Sequence, residues 1–430
     1  RIEYDDDRDY VAHFRHLFGE AVRARLRRVH PVGPFLSGGL DSGSIASMAG
    51  HLQEQNGESL APLRTYSWAF RAFPECDERV ISDHIVNRYG FAATAIDAEA
   101  PPLLGRHPYV GPDRDSPYVT GFHGLADYAL QRARADGVRC VLSGHRGDLI
   151  VGGWIFDYLR FLRTGQWGRL WRDLRLAEQK TGVPWPRAAQ IYLTNPLRAA
   201  LWPSGTAEWL RAPLKAAYRA LRPASPPSSP FPDWIRPEFA ARHDALPPPY
   251  TPPDALNDPM RRWRFETLLM PSHMRVAALA ERNGARHGLA TADPWSDRRL
   301  VEFAAAVPPS ALCQRGQNKW IAREAMRGIM PEAARSSAQK INPHPLYEHA
   351  LKVQLHSLVD DILFVGRFPE GPGSLPVDVD RLDAYYQSYR GGHAEDVRFW
   401  YTLTFALWLY PHHDNHTPQS IPKKDHEERI

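Results

Sequence analysis

Apolar residues near a 3.6-residue spacing, Val11, Phe14, Leu17, Phe18, Val22 and Leu26, predict an amphipathic helix over residues 8–27. Beyond it, short apolar runs alternate with helical patterns. Strands are expected at 34–36, 65–70, 91–96 and 138–142, and helices at 44–52, 77–89 and 121–135. Gly90 follows the second of these helices, where a left-handed C-cap favours glycine. The first 150 residues therefore read as βαβαβαβ, which calls for a parallel sheet covered by helices on both faces.

Eleven of the 39 prolines fall between residues 223 and 253, so neither a helix nor a central strand is expected there. That stretch reads as a linker or surface excursion, preceded by a basic, Trp-rich helical stretch from about Tyr158 to Leu221. The pattern divides the chain into a lead-in helix (1–30), an α/β core (31–157), a helical and Pro-rich insertion (158–258), a helical remainder (259–410) and a loose polar tail (411–430).

Composition narrows the class. Hydrophobic residues make up 43% and charged residues 24% of 430 residues, the balance of a globular protein long enough for a large core. No apolar run approaches the roughly 18 residues of a membrane-spanning helix. A net charge of +4, with Lys and Arg scattered, does not indicate a nucleic-acid partner. Cys76, Cys140 and Cys313 lie far apart, which argues against a disulfide framework or zinc site and for a reducing, cytoplasmic setting. Only seven of the 53 basic residues are lysines, so a lysine inside a motif is informative. The start, Arg-Ile-Glu-Tyr, has neither an initiator Met nor an apolar signal core and reads as a truncated, processed or incomplete frame.

The most specific segment is Phe35-Leu36-Ser37-Gly38-Gly39-Leu40-Asp41-Ser42-Gly43, a buried strand that breaks into a Ser/Gly loop and re-enters a helix. Gly38 and Gly39 let the backbone approach an anion. Ser37 and Ser42 offer hydroxyl donors, and the N–H groups opening the next helix carry partial positive charge. Asp41 would repel a bare phosphate but suits a Mg²⁺ that neutralises one. No Gly-x-x-x-x-Gly-Lys-Ser/Thr occurs, so phosphoryl transfer of the Walker type is not expected.

Ser-Gly-Gly-Leu-Asp-Ser at 37–42 resembles the pyrophosphate-binding loop of the asparagine synthetase family, which includes β-lactam synthetases and lasso-peptide cyclases. The resemblance runs in order over residues 8–160 and about 260–410. Leu142-Ser143-Gly144-His145-Arg146-Gly147-Asp148-Leu149 is similar to the family's Ser-Gly-x-Gly-x-Asp-Glu loop, with His145 where a Glu is common and Leu149 in place of the second acid. Asp77-Glu78 opens a predicted helix as the family's Asp-Glu pair does, although two acids in a first helical turn also complement the helix dipole. Glu281-Arg282 and Gly288 to Asp297 keep the family frame. There Ala290 replaces a substrate-facing Glu and Ala292 an Arg, with Asp293 as a substitute acid. Gln317 to Ala325, then Met330-Pro331-Glu332 and Lys340, resemble the family's Lys-x-x-x-Arg-x-Ala, Leu-Pro-Glu and Arg-x-Lys series, with Arg335 five residues before Lys340.

The resemblance implies a Rossmann-like sheet of the PP-loop ATP pyrophosphatase (adenine-nucleotide α-hydrolase) type with a large helical C-terminal part. It implies ATP on Leu36, Ser37, Gly38, Gly39, Asp41, Ser42, Ser143 and Gly144, with Mg²⁺ on Asp41 and Asp148. Lys319 is then expected to touch the phosphates and Lys340 the reacting centre, as the catalytic lysines. The implied reaction activates a carboxylate as an acyl-adenylate, which an amine then attacks. A peptide substrate is favoured, as in lasso-peptide cyclases, with a precursor peptide and its leader-binding protein as partners. Plain asparagine synthesis is the alternative, and a silent nucleotide-binding relative is a third reading. Asparagine synthetases draw ammonia from a glutaminase domain with an N-terminal Cys nucleophile, so such a domain is expected to be missing from a chain that begins with Arg1. His412, His413, Asp414 and His416 form a rival metal cluster against a loose polar tail.

Overall fold

The computed structural model describes residues 2–56, 60–101, 122–152, 161, 165–181, 184, 186, 231–244, 265–266, 268–314, 317–337, 344–363, 375–392 and 398–413. They belong to two compact units. The first draws on Arg1–Ala100, Asp127–Pro226 and Pro247–Pro343, the second on Pro101–Ala126, Pro227–Leu246 and His344–Ile430.

The first unit is a parallel sheet with helices on both faces. Strand β1 (Val32–Pro34) pairs with β4 (Cys140–Leu142), and β4 pairs with β5 (Ala290–Ala292), all parallel. A second parallel ladder joins β2 (Arg64–Ala69) to β3 (Ala92–Asp97). Parallel bridges Val32–Leu63 and Phe35–Tyr66 connect the ladders, so the strands run in the order β3-β2-β1-β4-β5. The order of strand addition reverses between β1 and β4, with β2 and β3 beyond β1 and β5 beyond β4, so the loops leaving β1 and β4 emerge side by side. Both strands are fully buried, as expected of a sheet covered on both sides.

Helix α1 (Asp7–Leu26) starts where the Asp6 carboxylate accepts the Arg8 N–H at 2.8 Å. It buries Tyr10, Phe14, Phe18, Val22 and Leu26 along one stripe. Helix α2 (Leu40–Asn56) follows β1, α3 (Arg79–Tyr89) follows β2, and α4 (His123–Ala135) precedes β4. One large core joins α1, α2 and the later helices, with Trp295, Phe303 and Trp320 in it. A smaller core holds Tyr66, Ile96, Ala129, Leu130, Val138, Val141 and Leu289. Gly90 adopts φ 64° and closes α3 as expected.

Three expectations need correction. Helix α2 begins at Leu40 rather than residue 44, because the Gly43 N–H already reaches the Gly39 carbonyl, which puts Asp41 and Ser42 in the first turn. Helix α3 begins at Arg79, so Asp77 and Glu78 precede its first turn and do other work. Within the Pro-rich stretch a helix does form at Pro237–Asp244, with Pro237 in the first turn, where a missing N–H removes no bond. It lies in the second unit, where Ile235 bridges Val377 and the buried Trp234 donates from Nε1 to Thr402 Oγ1 at 3.0 Å. That unit's aromatic core stacks Phe399 on Tyr386 at 5.2 Å between helices Val379–Arg390 and Arg398–His413. The last helix runs through Pro411, His412 and His413, past the predicted start of the tail, while Asp414 and His416 lie outside the described residues. The Trp-rich stretch is described chiefly as α5 (Trp167–Thr181). No described helix is long and apolar enough to cross a membrane.

Candidate functional site

The loop after β1 is tied from several sides. The Leu36 N–H donates to the Tyr66 carbonyl at 2.8 Å, and Ser67 Oγ donates to the Leu36 carbonyl at 2.7 Å. Ser37 and Ser42 hydroxyls lie 2.9 Å apart, and the Gly39 N–H donates to Ser37 Oγ at 3.1 Å. The two serines thus close the loop over the helix start, with Gly38 between them. Glu78 packs against Gly38, its Cβ 3.1 Å from where a Gly38 side chain would begin, and accepts the Gly38 N–H. Burial there pushes the Glu78 carboxyl up. Asp77 takes the N–H of Arg79 at 2.9 Å and pairs with its guanidinium at 2.6 Å. The acid pair therefore braces the loop and caps α3.

The loop after β4 lies directly on the first. An added Cβ at Gly144 would meet the Ser42 amide nitrogen at 2.7 Å, and one at Gly147 would meet Asp41 Cγ at 2.3 Å. Neither position has room for a side chain, which explains both glycines of the second motif. Ser143 donates its N–H to the Ala292 carbonyl at 3.0 Å, and the Ser143 hydroxyl accepts from the His145 N–H at 3.2 Å. Asp148 stands in the short helix Gly147–Ile150.

Lys319 completes the cluster. Its ammonium lies 2.5 Å from Asp41 Oδ2 and 2.8 Å from Asp148 Oδ1, and the residue is 8% exposed. Among the described residues it is the non-glycine with positive φ, 55°, at the N-cap of α6 (Trp320–Ala325). Two carboxylates from two strand ends converge on one cation, as hard-cation ligands would. Leu36, Ser37, Gly38, Gly39, Asp41, Ser42, Ser143, Gly144, Asp148 and Lys319 are brought together here, whereas Lys340 lies outside the described residues.

Sequence reasoning missed the support beneath. Asp293 uses both oxygens on backbone, accepting the Trp295 N–H at 2.9 Å and the Arg146 N–H at 3.0 Å. It is thereby a clamp on the second loop rather than a replacement for the acid absent at Ala290. Burial raises its pKa to about 6. Trp295 is fully buried, donates from Nε1 to the Asp41 carbonyl at 3.2 Å, and packs its ring 4.6 Å from that of Phe18. Asp297 caps the next helix through Arg299 N–H at 3.1 Å and pairs with Arg25 of α1 at 2.5 Å, and the two guanidiniums hold its carboxyl well below the usual range. An Asp-Pro-Trp turn, one N-cap acid before a proline and an aromatic donor, is the signal that marks this clamp.

The asparagine synthase family profile matches residues 13–410. Asparagine synthetase [glutamine-hydrolyzing] 3 of Bacillus subtilis is 24% identical over 357 residues, 79% of this chain and 49% of that protein. Amidase chry2 of Gibberella zeae is 31% identical over 143 residues, 31% of this chain and 21% of that protein. A putative asparagine synthetase [glutamine-hydrolyzing] 2 of Methanocaldococcus jannaschii is 26% identical over 183 residues, 41% of this chain and 33% of that protein. The chain spans about half or less of the length of these relatives. By the match over most of its length, it belongs to the asparagine synthase family.

Proposed function

We propose that this chain is an ATP-dependent, AMP-forming amide ligase with a PP-loop type of nucleotide site at the ends of β1 and β4. The observation that carries it is the Asp41–Lys319–Asp148 cluster beside a Ser/Gly loop. The donor set fits a divalent cation. Two hard carboxylates already hold a positive charge between them, and Gly144 and Gly147 keep the two loops too close for any Cβ. Asp41 and Asp148 would hold Mg²⁺, which when bound neutralises a triphosphate and favours loss of pyrophosphate.

The chain's own residues supply the rest. The N–H groups in the first turn of α2 face developing phosphate charge, and the Ser37 and Ser42 hydroxyls add donors. Lys319 brings a compact ammonium to the same oxygens, and Lys340 is assigned to the charge on the reacting acyl group. A carboxylate held in line attacks the α-phosphorus and pyrophosphate leaves; an amine then attacks the acyl carbon, the acyl C–O bond to the phosphate breaks, AMP leaves and the nitrogen loses a proton. Positioning and charge neutralisation do most of this work.

For the acyl substrate we favour a peptide, making the reaction a lasso-type macrolactam closure with a precursor peptide and its leader-binding protein as partners. Ala290 is exposed in β5 and offers no carboxylate to pair an α-ammonium, so free aspartate would lack that partner. The names of the Bacillus and Methanocaldococcus relatives support asparagine synthesis as the second reading. ATP–pyrophosphate exchange with free aspartate plus ammonium, against peptides bearing an internal acidic side chain and a free amine, separates the two. Exchange with the peptides alone is expected. Robust asparagine formation would leave only the second reading standing.

A further inference from the structure

We propose that Lys319 is a built-in counter-ion that keeps the two-carboxylate seat closed to a divalent cation until a triphosphate draws the ammonium away. This rests on the reading of Asp41 and Asp148 as the nucleotide-linked cation seat. The ammonium sits where a dication would, 2.5 Å from one carboxylate and 2.8 Å from the other, and each carboxylate comes from a different strand end. It is also 8% exposed, so it is part of the packed site rather than a solvated side chain resting on it.

The backbone beneath is fixed in a left-handed conformation, φ 55° and ψ 35°, that a lysine adopts only when its surroundings impose it. Those surroundings are visible. Arg323, one turn on, donates its N–H to the Lys319 carbonyl at 3.0 Å and its Nε to the Asn318 carbonyl at 3.3 Å. The same guanidinium bonds the carbonyls of Arg335 and, at 3.1 Å, Ser337. Arg335 in turn is buried and pairs with Glu332 at 2.7 Å. With the backbone anchored, what can move is the lysine side chain.

Charge then decides the order of events. One ammonium between two carboxylates leaves the cluster with one net negative charge. A dication arriving alone has to displace a buried ammonium and then sit beside it, like charge against like. A triphosphate reverses that balance, because its oxygens receive the ammonium while the dication takes the carboxylates. Cation and nucleotide therefore bind as one unit, and the chain does not fill its seat with a bare cation. Arg323 and Arg335 act as positioning residues that aim Lys319.

The test uses Mn²⁺ as the probe, with free Mn²⁺ followed by electron paramagnetic resonance on the full chain, with and without an α,β-methylene analogue of ATP. Wild type is expected to take up Mn²⁺ only when the analogue is present. Lys319→Met is expected to take up Mn²⁺ alone, about tenfold tighter than wild type or more, and to lose this when Asp41→Asn is added. Lys319→Gly should behave likewise. Because glycine relaxes the left-handed position, that variant keeps the test open if the Met variant folds poorly. Wild type binding Mn²⁺ alone as tightly as both variants overturns the counter-ion role while leaving the seat in place. Uptake of Mn²⁺ with the analogue that is indifferent to Asp41→Asn and to Asp148→Asn overturns the seat itself.

Discussion

A single methyl group tests the closest contact in the site. Gly147→Ala would place its Cβ 2.3 Å from Asp41 Cγ, against a residue whose main-chain carbonyl is held by Trp295 and whose carboxylate is held by Lys319. Relief needs the two loops to separate, at a cost of about 1–3 kcal/mol, and the separation unseats Asp41. Thermal unfolding together with pyrophosphate release should show both effects, and a fully active, unshifted variant would mean that the loops have slack. Charge removal acts differently. Asp41→Asn and Asp148→Asn keep the shape and should each lower pyrophosphate release by about a hundredfold. Asp41 was readable in sequence because a carboxylate inside a Ser/Gly loop has no role facing a bare phosphate. The pairing of Lys319 with both acids was not readable, since it depends on bringing residue 319 beside residues 41 and 148.

At the scale of elements, the Asp293-Pro294-Trp295 turn carries the most weight that sequence patterns concealed. Trp295→Phe keeps the ring against Phe18 but strips one donor from the Asp41 carbonyl, a change of about 0.5–1.5 kcal/mol for the loss of one hydrogen bond. Denaturant midpoints measure it directly. Asp293 makes a pH prediction. Its folded value of about 6 lies above the usual 3.8, so the folded chain binds the proton more tightly than the unfolded chain. Its contribution to stability therefore falls as pH rises between about 4 and about 6, then levels off. Urea unfolding at about pH 4 and about pH 7 should show that Asp293→Asn removes this slope, and parallel curves for the two proteins would contradict it. Alternating apolar runs made the first four strands and helices α1 to α4 legible, with ends displaced by a few residues. Strand β5, Ala-Thr-Ala, passed unseen because alanine has little strand preference and the segment borrows its pairing from β4. The helix at Pro237–Asp244 was hidden by the prolines around it, yet only Pro237 falls within it, at its first residue.

For the whole molecule, the family assignment rests on the match over residues 13–410, and composition alone would have given only a globular protein. Cys76, Cys140 and Cys313 are buried thiols outside any disulfide, and burial pushes Cys76 and Cys140 up, so none is presented as a thiolate nucleophile. The purified 430-residue chain should accordingly release no glutamate from glutamine, and measurable release would show a nucleophile that these thiols do not provide. The central claim is that a carboxylate is activated by attack on the α-phosphorus at the Asp41–Lys319–Asp148 seat. Phosphorus NMR of the products made from Mg·ATP and an acidic peptide tests it most directly. AMP and pyrophosphate are expected from wild type, and about a hundredfold less of both from Asp41→Asn or Asp148→Asn. Formation of ADP and phosphate, or AMP production that both substitutions leave at the wild-type level, would contradict it.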